Sequence, residues 1–201
     1  MHPNSAFRWD DRDALRSFAG EIGFGTAFAT TPDGPRVGHV PFVFLGDDRI
    51  GFHLARGNGL TKHLDGTEGL FVITGPDAYI SPDWYNLDQN QVPTWNYLAL
   101  ELEGPVRKLD TDGLTAQVEA VTAQQEARLA PKPAWTRDKM DAGVFPKMLG
   151  AIVGFEMRIT AWRGTAKLGQ NKPEAARASA ADALGAVGQK AVAHLMRTLP
   201  Q

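Results

Sequence analysis

Two neighbouring segments are the most informative part of the chain. They are Gly75-Pro76-Asp77-Ala78-Tyr79-Ile80-Ser81-Pro82-Asp83-Trp84-Tyr85 and Val92-Pro93-Thr94-Trp95-Asn96-Tyr97. Together the two segments hold all 3 tyrosines of the chain. Proline is poorly tolerated inside a central strand, so the pattern predicts a rigid aromatic wall beside a short loop. Such a wall suits a flat ring ligand with polar edges, because rings stack on its faces while amides and hydroxyls meet its edges. An aromatic corner that only fills the core is the alternative.

Alternating apolar residues on both sides of this wall predict short strands joined by turns. The predicted strands are residues 24–31, 37–45, 49–55, 69–74, 95–102, 105–109 and 152–162. The prolines around Asp33-Gly34 favour a loop longer than two residues, and 105–109 is expected to return as a hairpin partner of 95–102. Six or seven strands with few peripheral helices predict a mainly β fold, an antiparallel barrel and not a doubly wound sheet.

Helical spacing of apolar residues predicts helices at the edges of this barrel. They are expected near residues 10–22, 59–64, 112–129, 138–149 and 173–199. One domain is predicted for residues 1–172, with a C-terminal helix in 173–201 packing on it.

Composition excludes several classes of site. The chain has 201 residues, 43% of them hydrophobic, and no cysteine, so disulfides, thiolate nucleophiles and Cys-ligated metals are excluded. No apolar run approaches the ~20 residues that span a bilayer. The start, Met1-His2-Pro3-Asn4, has no basic-then-apolar pattern. We therefore expect a cytoplasmic protein without a membrane partner. A net charge of −2 gives no support for DNA as a partner, although a local basic face stays possible.

Several motifs occur in the order found in one known family. His53-Leu54-Ala55-Arg56-Gly57-Asn58 precedes the wall, and Ala151-Ile152-Val153-Gly154-Phe155-Glu156 and Lys167-Leu168-Gly169-Gln170-Asn171-Lys172 follow it. With the wall, these segments resemble the PaiB-type FMN-binding negative transcriptional regulators, over nearly the whole chain. Gly169 stands where the family pattern has serine, and the segment after Arg56 also departs from that pattern.

The resemblance implies a split β-barrel like that of pyridoxamine-phosphate oxidases, forming a homodimer with FMN at the subunit interface. It implies either a flavin-dependent oxidoreductase or a flavin-sensing protein. The family name adds the alternative of a negative transcriptional regulator that acts through DNA or a protein partner.

FMN needs cations for its phosphate and polar groups for the edge of its ring, while the cofactor itself performs the redox chemistry. We therefore assign no catalytic residue. For the phosphate we expect Arg56, supported by Asn58 and by Lys62 on the predicted helix 59–64. For the ring we expect residues of three segments: His39, His53 and Ala55; Thr94, Trp95 and Asn96; and Lys167, Gln170 and Asn171.

Histidines provide a further alternative. His39 is expected to face His53 across two neighbouring strands, with His63 nearby, and imidazole is a common ligand of haem and transition metals. No carboxylate stands at a recognisable ligand spacing beside them, so FMN is preferred to haem and no metal site is predicted. In the simpler interpretations Arg56 is a solvated strand-end arginine and Trp95 fills the core.

Overall fold

The computed structural model describes residues 2–88 and 90–198. Over these residues the chain forms eight strands: β1 (Arg8–Trp9), β2 (Phe24–Thr31), β3 (Gly34–Phe44), β4 (Arg49–Ala55), β5 (Glu68–Ile80), β6 (Thr94–Lys108), β7 (Ile152–Arg158) and β8 (Ala161–Lys167). The α-helices are α1 (Arg12–Ile22), α2 (Thr111–Ala127), α3 (Val144–Leu149), α4 (Glu174–Ala186) and α5 (Lys190–Thr198). Met1, the first residue of the predicted domain, and residues 199–201, the last of the predicted C-terminal segment, lie outside the described residues.

Six of the strands close into a barrel. The strands hydrogen-bond in the order β1-β8-β6-β5-β2-β3-β4-β7, and β7 also pairs with β6. The strands from β2 to β7 therefore form a ring, and β8 and β1 continue from β6. The pairs β2–β3, β2–β5, β3–β4, β4–β7 and β6–β7 are antiparallel. The predicted antiparallel β class is confirmed, with eight strands in place of six or seven.

The chain divides into two compact units. The first unit comprises Met1–Leu15, Thr74–Leu100 and Arg163–Gln201, and the second comprises Arg16–Ile73 and Glu101–Trp162. In the second unit the core is aromatic: the Phe71 ring lies 5.2 Å from that of Phe42 and 5.4 Å from that of Phe52, and Phe155 stacks on Phe52 at 5.9 Å. Burying each such side chain contributes about 1.5–3 kcal/mol.

In the first unit α4 and α5 pack together. They bury Leu184, Val192 and Met196. The sequence predicted one helix over residues 173–199, but Gly188 takes a positive φ of 87° between the two helices. The C-terminal segment therefore turns back on itself, which brings the apolar faces of α4 and α5 together.

The hairpin of β2 and β3 is tighter than predicted. Thr31 pairs with Gly34, which leaves only Pro32 and Asp33 in the turn. Gly34 takes a φ of 95°, and the Thr31 hydroxyl donates to the Gly34 carbonyl at 2.7 Å. Pro32 occupies the turn itself and Pro35 pairs with Thr30 just beyond it, so the two prolines do not lengthen the loop.

The aromatic wall is mostly strand and not loop. β5 continues through Gly75-Pro76 to Ile80, whereas the sequence predicted that it stops at Thr74. β2 pairs with β5 only at Leu70–Val72, so Pro76 lies beyond that ladder, where its missing N–H removes no hydrogen bond to β2. Likewise β6 runs unbroken from Thr94 to Lys108, and the predicted hairpin at 105–109 is wrong.

Three other element predictions are wrong in detail. Residues 59–64 form consecutive turns and no helix. The predicted helix 138–149 is a short 3-10 helix (Arg137–Lys139) followed by α3, because Gly143 takes a φ of 83° between them. The predicted strand 152–162 is two strands, β7 and the start of β8.

Candidate functional site

The loop after β4 presents two of the predicted phosphate-binding cations. Its backbone turns tightly: Asn58 N–H donates to the Ala55 carbonyl at 2.9 Å, and the Thr61 hydroxyl donates to the same carbonyl at 2.8 Å. The Asn58 side-chain oxygen accepts from Leu60 N–H at 2.9 Å, so this amide shapes the loop. Arg56 and Lys62 are both exposed on it. Lys62 stands on a turn, and the helix N-terminus expected beside it is absent from this loop.

Arg56 is held in place by two backbone carbonyls. Its Nε donates to the Gly150 carbonyl at 2.8 Å and its Nη2 to the Ile152 carbonyl at 3.3 Å. Ile152 pairs with Ala55 across β4 and β7, which explains why these carbonyls lie beside the guanidinium. Nη1 keeps its hydrogens for another partner. Arg56 is therefore an oriented cation, and Ala55 before it is exposed at the end of the strand.

The two histidines predicted to face each other do not. His39 pairs with Thr26 on β2, and its Nδ1 lies 3.0 Å from the Thr26 hydroxyl. His53 bonds instead to α2, where its Nδ1 lies 3.1 Å from Oε1 of Gln117. The β3–β4 register, in which Phe42 pairs with Phe52, offsets the two histidines along the strands. Each imidazole thus has its own partner.

The face of β4 that carries His53 is covered by a helix. Gln117 of α2 is 0% exposed. Burial lowers the pKa of His53, and the hydrogen bond that its ring donates to Gln117 Oε1 opposes this shift in part. His53 is therefore a half-buried ring fixed by α2, and Ala55, two residues on, is the exposed member of that face.

In the first unit, the start of β6 and the end of β8 form a second polar cluster. Lys167 Nζ donates to the Thr94 hydroxyl at 2.5 Å, and it lies 5.8 Å from the centre of the Phe7 ring. Asn96, two residues after Thr94, is only 1% exposed. The structure thus brings Thr94, Asn96 and Lys167 into one unit.

The Asn96 amide is incompletely satisfied. Its Nδ2 lies 3.4 Å from the sulfur of Met196 on α5, which is a weak acceptor. Within the described residues its Oδ1 has no hydrogen-bond partner. A buried amide oxygen without a partner costs about 1–3 kcal/mol, so Asn96 carries a local cost in stability, and at 1% exposure its oxygen does not face a ligand surface.

The loop after β8 has a mixed role. Gln170 bonds within the loop: its Nε2 donates to the Ala166 carbonyl at 2.5 Å, and its Oε1 accepts from Leu168 N–H at 2.7 Å. Gly169 takes a φ of 80°, which a serine would adopt only with strain. Asn171 is exposed. Gln170 therefore shapes the loop, and Asn171 stays available.

Trp95 points away from the core of its unit. It is 54% exposed, and its ring meets that of Tyr79, 48% exposed, edge to face at 6.3 Å. A shallow groove beside this pair is lined by Thr74, Gly75 and Asp77 among others. The core-filling interpretation of Trp95 is thus not supported by its exposure.

Sequence reasoning missed Gln117 and Met196 as partners of predicted site residues. Gln117 lies between Leu114 and Val121 on the buried face of α2. A polar residue in such a position requires a hydrogen-bond partner, and this pattern was readable in the sequence. Met196 has no comparable pattern, since its contact with Asn96 joins residues 100 positions apart.

Comparison with known proteins decides the family. The model of the family described as "Putative FMN-binding domain" matches residues 1–161. This chain belongs to the FMN-binding domain family. As a member, it is 30% identical over 178 residues to the protease synthase and sporulation protein PAI 2 of Bacillus subtilis (strain 168), covering 87% of this chain and 84% of that protein. The resemblance to PaiB-type proteins is confirmed.

Two solved structures share the fold of this family member. A conserved hypothetical protein from Mycobacterium tuberculosis has a TM-score of 0.59 at 13% identity, covering 86% of this chain and 94% of that chain. The FAD and haem binding protein from Mycobacterium smegmatis has a TM-score of 0.55 at 18% identity, covering 80% and 73%. The fold is the predicted split β-barrel of the flavin-binding type.

Across 2–88 and 90–198, no group of three or more His, Asp or Glu side chains is arranged to hold a metal ion. Over the same ranges, no helix has the length and apolar character needed to cross a membrane.

Proposed function

We propose that this protein binds FMN and acts as a flavin-dependent oxidoreductase or a flavin-sensing protein of the PaiB type, as a homodimer. The observation that carries the proposal is the match of residues 1–161 to the FMN-binding domain family. The residues present fit the cofactor, because the chain offers an oriented guanidinium for the phosphate and a lysine, Lys167, held by Thr94 for the ring.

For the phosphate, we assign the loop after β4. Arg56 supplies a guanidinium whose Nε is anchored and whose Nη1 is free to donate, and Lys62 supplies a second exposed charge. Asn58 keeps the loop in its tight turn. His39 and Ala55, both exposed, remain proposed contacts of the cofactor, and His53 holds β4 against α2 through Gln117.

For the ring edge, we assign the cluster of the first unit. Lys167, held by Thr94, would supply the positive charge that stabilises a reduced, anionic flavin ring, and Asn96, buried against Met196, would hold the start of β6 in position beside it. Trp95 and Asn171 are exposed and available, and Gln170 keeps the loop in shape. A bound flavin supplies hydride or electron transfer. In the proposed homodimer, one subunit would supply the residues that bind the phosphate of FMN, and the other subunit would supply the residues that bind its ring.

The first test is an absorbance spectrum of the purified protein, followed by titration with FMN monitored by fluorescence quenching. We expect saturable binding and an oxidised-flavin spectrum. Arg56→Ala should weaken binding by about 2 kcal/mol, roughly thirtyfold in Kd, because a charge-assisted phosphate contact is lost.

The matched control is Arg36→Ala, an exposed arginine of the same unit whose side chain bonds only the neighbouring Pro35 carbonyl. Its FMN affinity should equal that of the wild type. Equal affinities of Arg56→Ala and Arg36→Ala would remove Arg56 from the site, and absence of any FMN binding would overturn the proposed function.

A haem-binding protein is the second candidate. It is supported by the likeness in fold to a protein named as FAD and haem binding. The separate partners of His39 and His53 weaken it, because the two rings do not face a common ligand. A Soret band after incubation with haemin, with no flavin binding, would favour this candidate.

A negative transcriptional regulator is the third candidate, supported by the 30% identity to a sporulation protein of Bacillus subtilis. Gel-shift assays at increasing salt concentration test direct DNA binding, since phosphate contacts give a steep salt dependence. The net charge of −2 leads us to expect no shift.

A further inference from the structure

A pocket of about 600 Å³ lies in the second unit, between the start of α2 and the segment from Arg137 to Gly154. Ligand-binding pockets in proteins usually measure about 300–1,000 Å³, so this volume is in the range for one small molecule. Apart from Arg56, its lining includes none of the residues assigned to FMN.

The walls of the pocket are mostly apolar. Leu114 of α2 forms one side, Phe145 and Leu149 of α3 form another, and Ile152 and Val153 of β7 form the floor. These side chains come from α2, α3 and β7, and both helices contact β7. The body of a fitting ligand is therefore apolar.

Cations surround these walls. Arg56, Lys108 and Arg137 all line the pocket. Arg137 is compensated, because its Nη1 lies 2.8 Å from a Glu119 oxygen. In the part of the chain that the structure describes, no carboxylate lies within ion-pair distance of Arg56 or Lys108. Two uncompensated cations beside an apolar cavity favour an anionic head group.

The one carboxylate in the lining of the pocket caps a helix. Asp110 caps α2, and its Oδ1 accepts from Gly113 N–H at 2.8 Å. The helix N-terminus is thus partly satisfied by the protein itself. The attraction for an anion therefore comes from Lys108 and Arg56 and not from the end of α2.

We propose that this pocket binds an amphipathic organic anion, a molecule with an apolar body and a carboxylate or phosphate head. The body packs against Leu114, Leu149 and Ile152, and the head lies beside Lys108. Arg56 also lines the pocket and is shared with the FMN phosphate proposed above, so we expect bound FMN to weaken the affinity for the anion. This site rests on the pocket alone and does not require FMN to bind elsewhere.

The test is calorimetric titration of the full chain, with and without FMN, using decanoate, decyl phosphate and decanol below their micelle concentrations. We expect one molecule of each anion per chain, and decanol at least about tenfold weaker because it lacks the charge-assisted contact. The preferred head group distinguishes a carboxylate ligand from a phosphate ester.

Lys108→Gln should weaken both anions by about tenfold and leave decanol unchanged. The control is Lys139→Gln, an exposed lysine of the same covering segment that bonds the Ala134 carbonyl and does not line the pocket. Leu149→Gln should weaken all three ligands, because it makes a wall polar. Circular dichroism verifies the fold of each variant.

Equal affinity for decanol and decanoate, an unchanged Kd in Lys108→Gln, or no binding of any probe would each overturn the proposal. FMN titrations on the same samples separate the two functions. Loss of FMN binding with decanoate binding intact would overturn only the flavin function, and the reverse would overturn only this pocket.

Discussion

His53 is the half-buried histidine of β4, and its surroundings favour the neutral ring. Its Nδ1 lies 3.1 Å from Gln117, and burial lowers its pKa. Charging the ring would place a cation between a strand and a helix, away from water. His53 therefore connects α2 to the barrel most strongly when it is neutral.

The first prediction concerns pH. The unfolded ring has a pKa of about 6.5, and the folded value is lower, so the unfolded state binds more protons between the two values. The free energy of unfolding should thus fall as pH drops below about 6.5, until the folded pKa is passed. Urea unfolding at pH 7.5 and pH 5.5 should show a smaller loss in His53→Gln than in the wild type.

The control for removing an imidazole is His194→Gln, at an exposed position of α5. It should keep the wild-type loss of stability. If His53→Gln loses as much stability as the wild type between the two pH values, His53 does not carry the pH dependence.

At the scale of elements, β6 depends on a single glycine. The strand passes close to the end of β7 at Gly104, where an added Cβ would come within 1.8 Å of the Arg158 carbonyl oxygen. Beside it, Thr160 N–H donates to the Glu103 carbonyl at 2.8 Å. The 15 residues of β6 can therefore continue in one strand only because position 104 has no side chain.

Gly104→Ala should lower the free energy of unfolding by about 3 kcal/mol, since backbone must move to admit the methyl group. Gly185→Ala is the matched control, because an added Cβ there meets nothing within 4 Å and the residue lies in α4. It should be neutral or more stable by up to about 1 kcal/mol. Urea unfolding that gives both variants equal stability would contradict this account of β6.

At the scale of the whole molecule, the proposed homodimer requires an exposed apolar surface that association would bury. Trp95 and Tyr79 form an exposed aromatic pair in the first unit. Neighbouring exposed aromatic side chains often mark a site of association. We therefore expect this pair to lie at the subunit interface.

Analytical ultracentrifugation should detect a dimer for the wild type and a shift toward monomer for Trp95→Glu, at least about tenfold in the dissociation constant. The control is Val187→Glu, another exposed apolar side chain of the first unit, 61% exposed. A dimer equally stable in both variants would place the interface elsewhere, and a monomeric wild type would overturn the homodimer.

Much of the fold was predictable because strand patterns are local. β4 has its predicted bounds, Arg49–Ala55, since Ile50, Phe52 and Leu54 alternate with smaller or polar residues. Boundaries failed where neighbours decide them. Pro76 and Gly104 read as breaks, yet Pro76 lies beyond the ladder between β2 and β5, and Gly104 lacks the side chain that would meet the end of β7.

The site was predictable in part for the same reason. The exposure of Arg56 follows from its position just after a strand, and the alternation of exposed Trp95 with buried Asn96 follows from their positions along β6. The partners of His53 and Asn96 do not, because Gln117 is 64 residues from His53 and Met196 is 100 residues from Asn96. No local pattern specifies contacts between such distant positions.

The sequence by itself determined the family, the antiparallel β class and the exposed cations of the loop after β4. The tertiary structure alone decided that His53 faces α2, that Asn96 is buried with an unpaired oxygen, and that Lys108 and Arg56 share an apolar pocket. Periodicity records which face of an element is apolar, but which elements meet depends on how the closed barrel brings distant residues together.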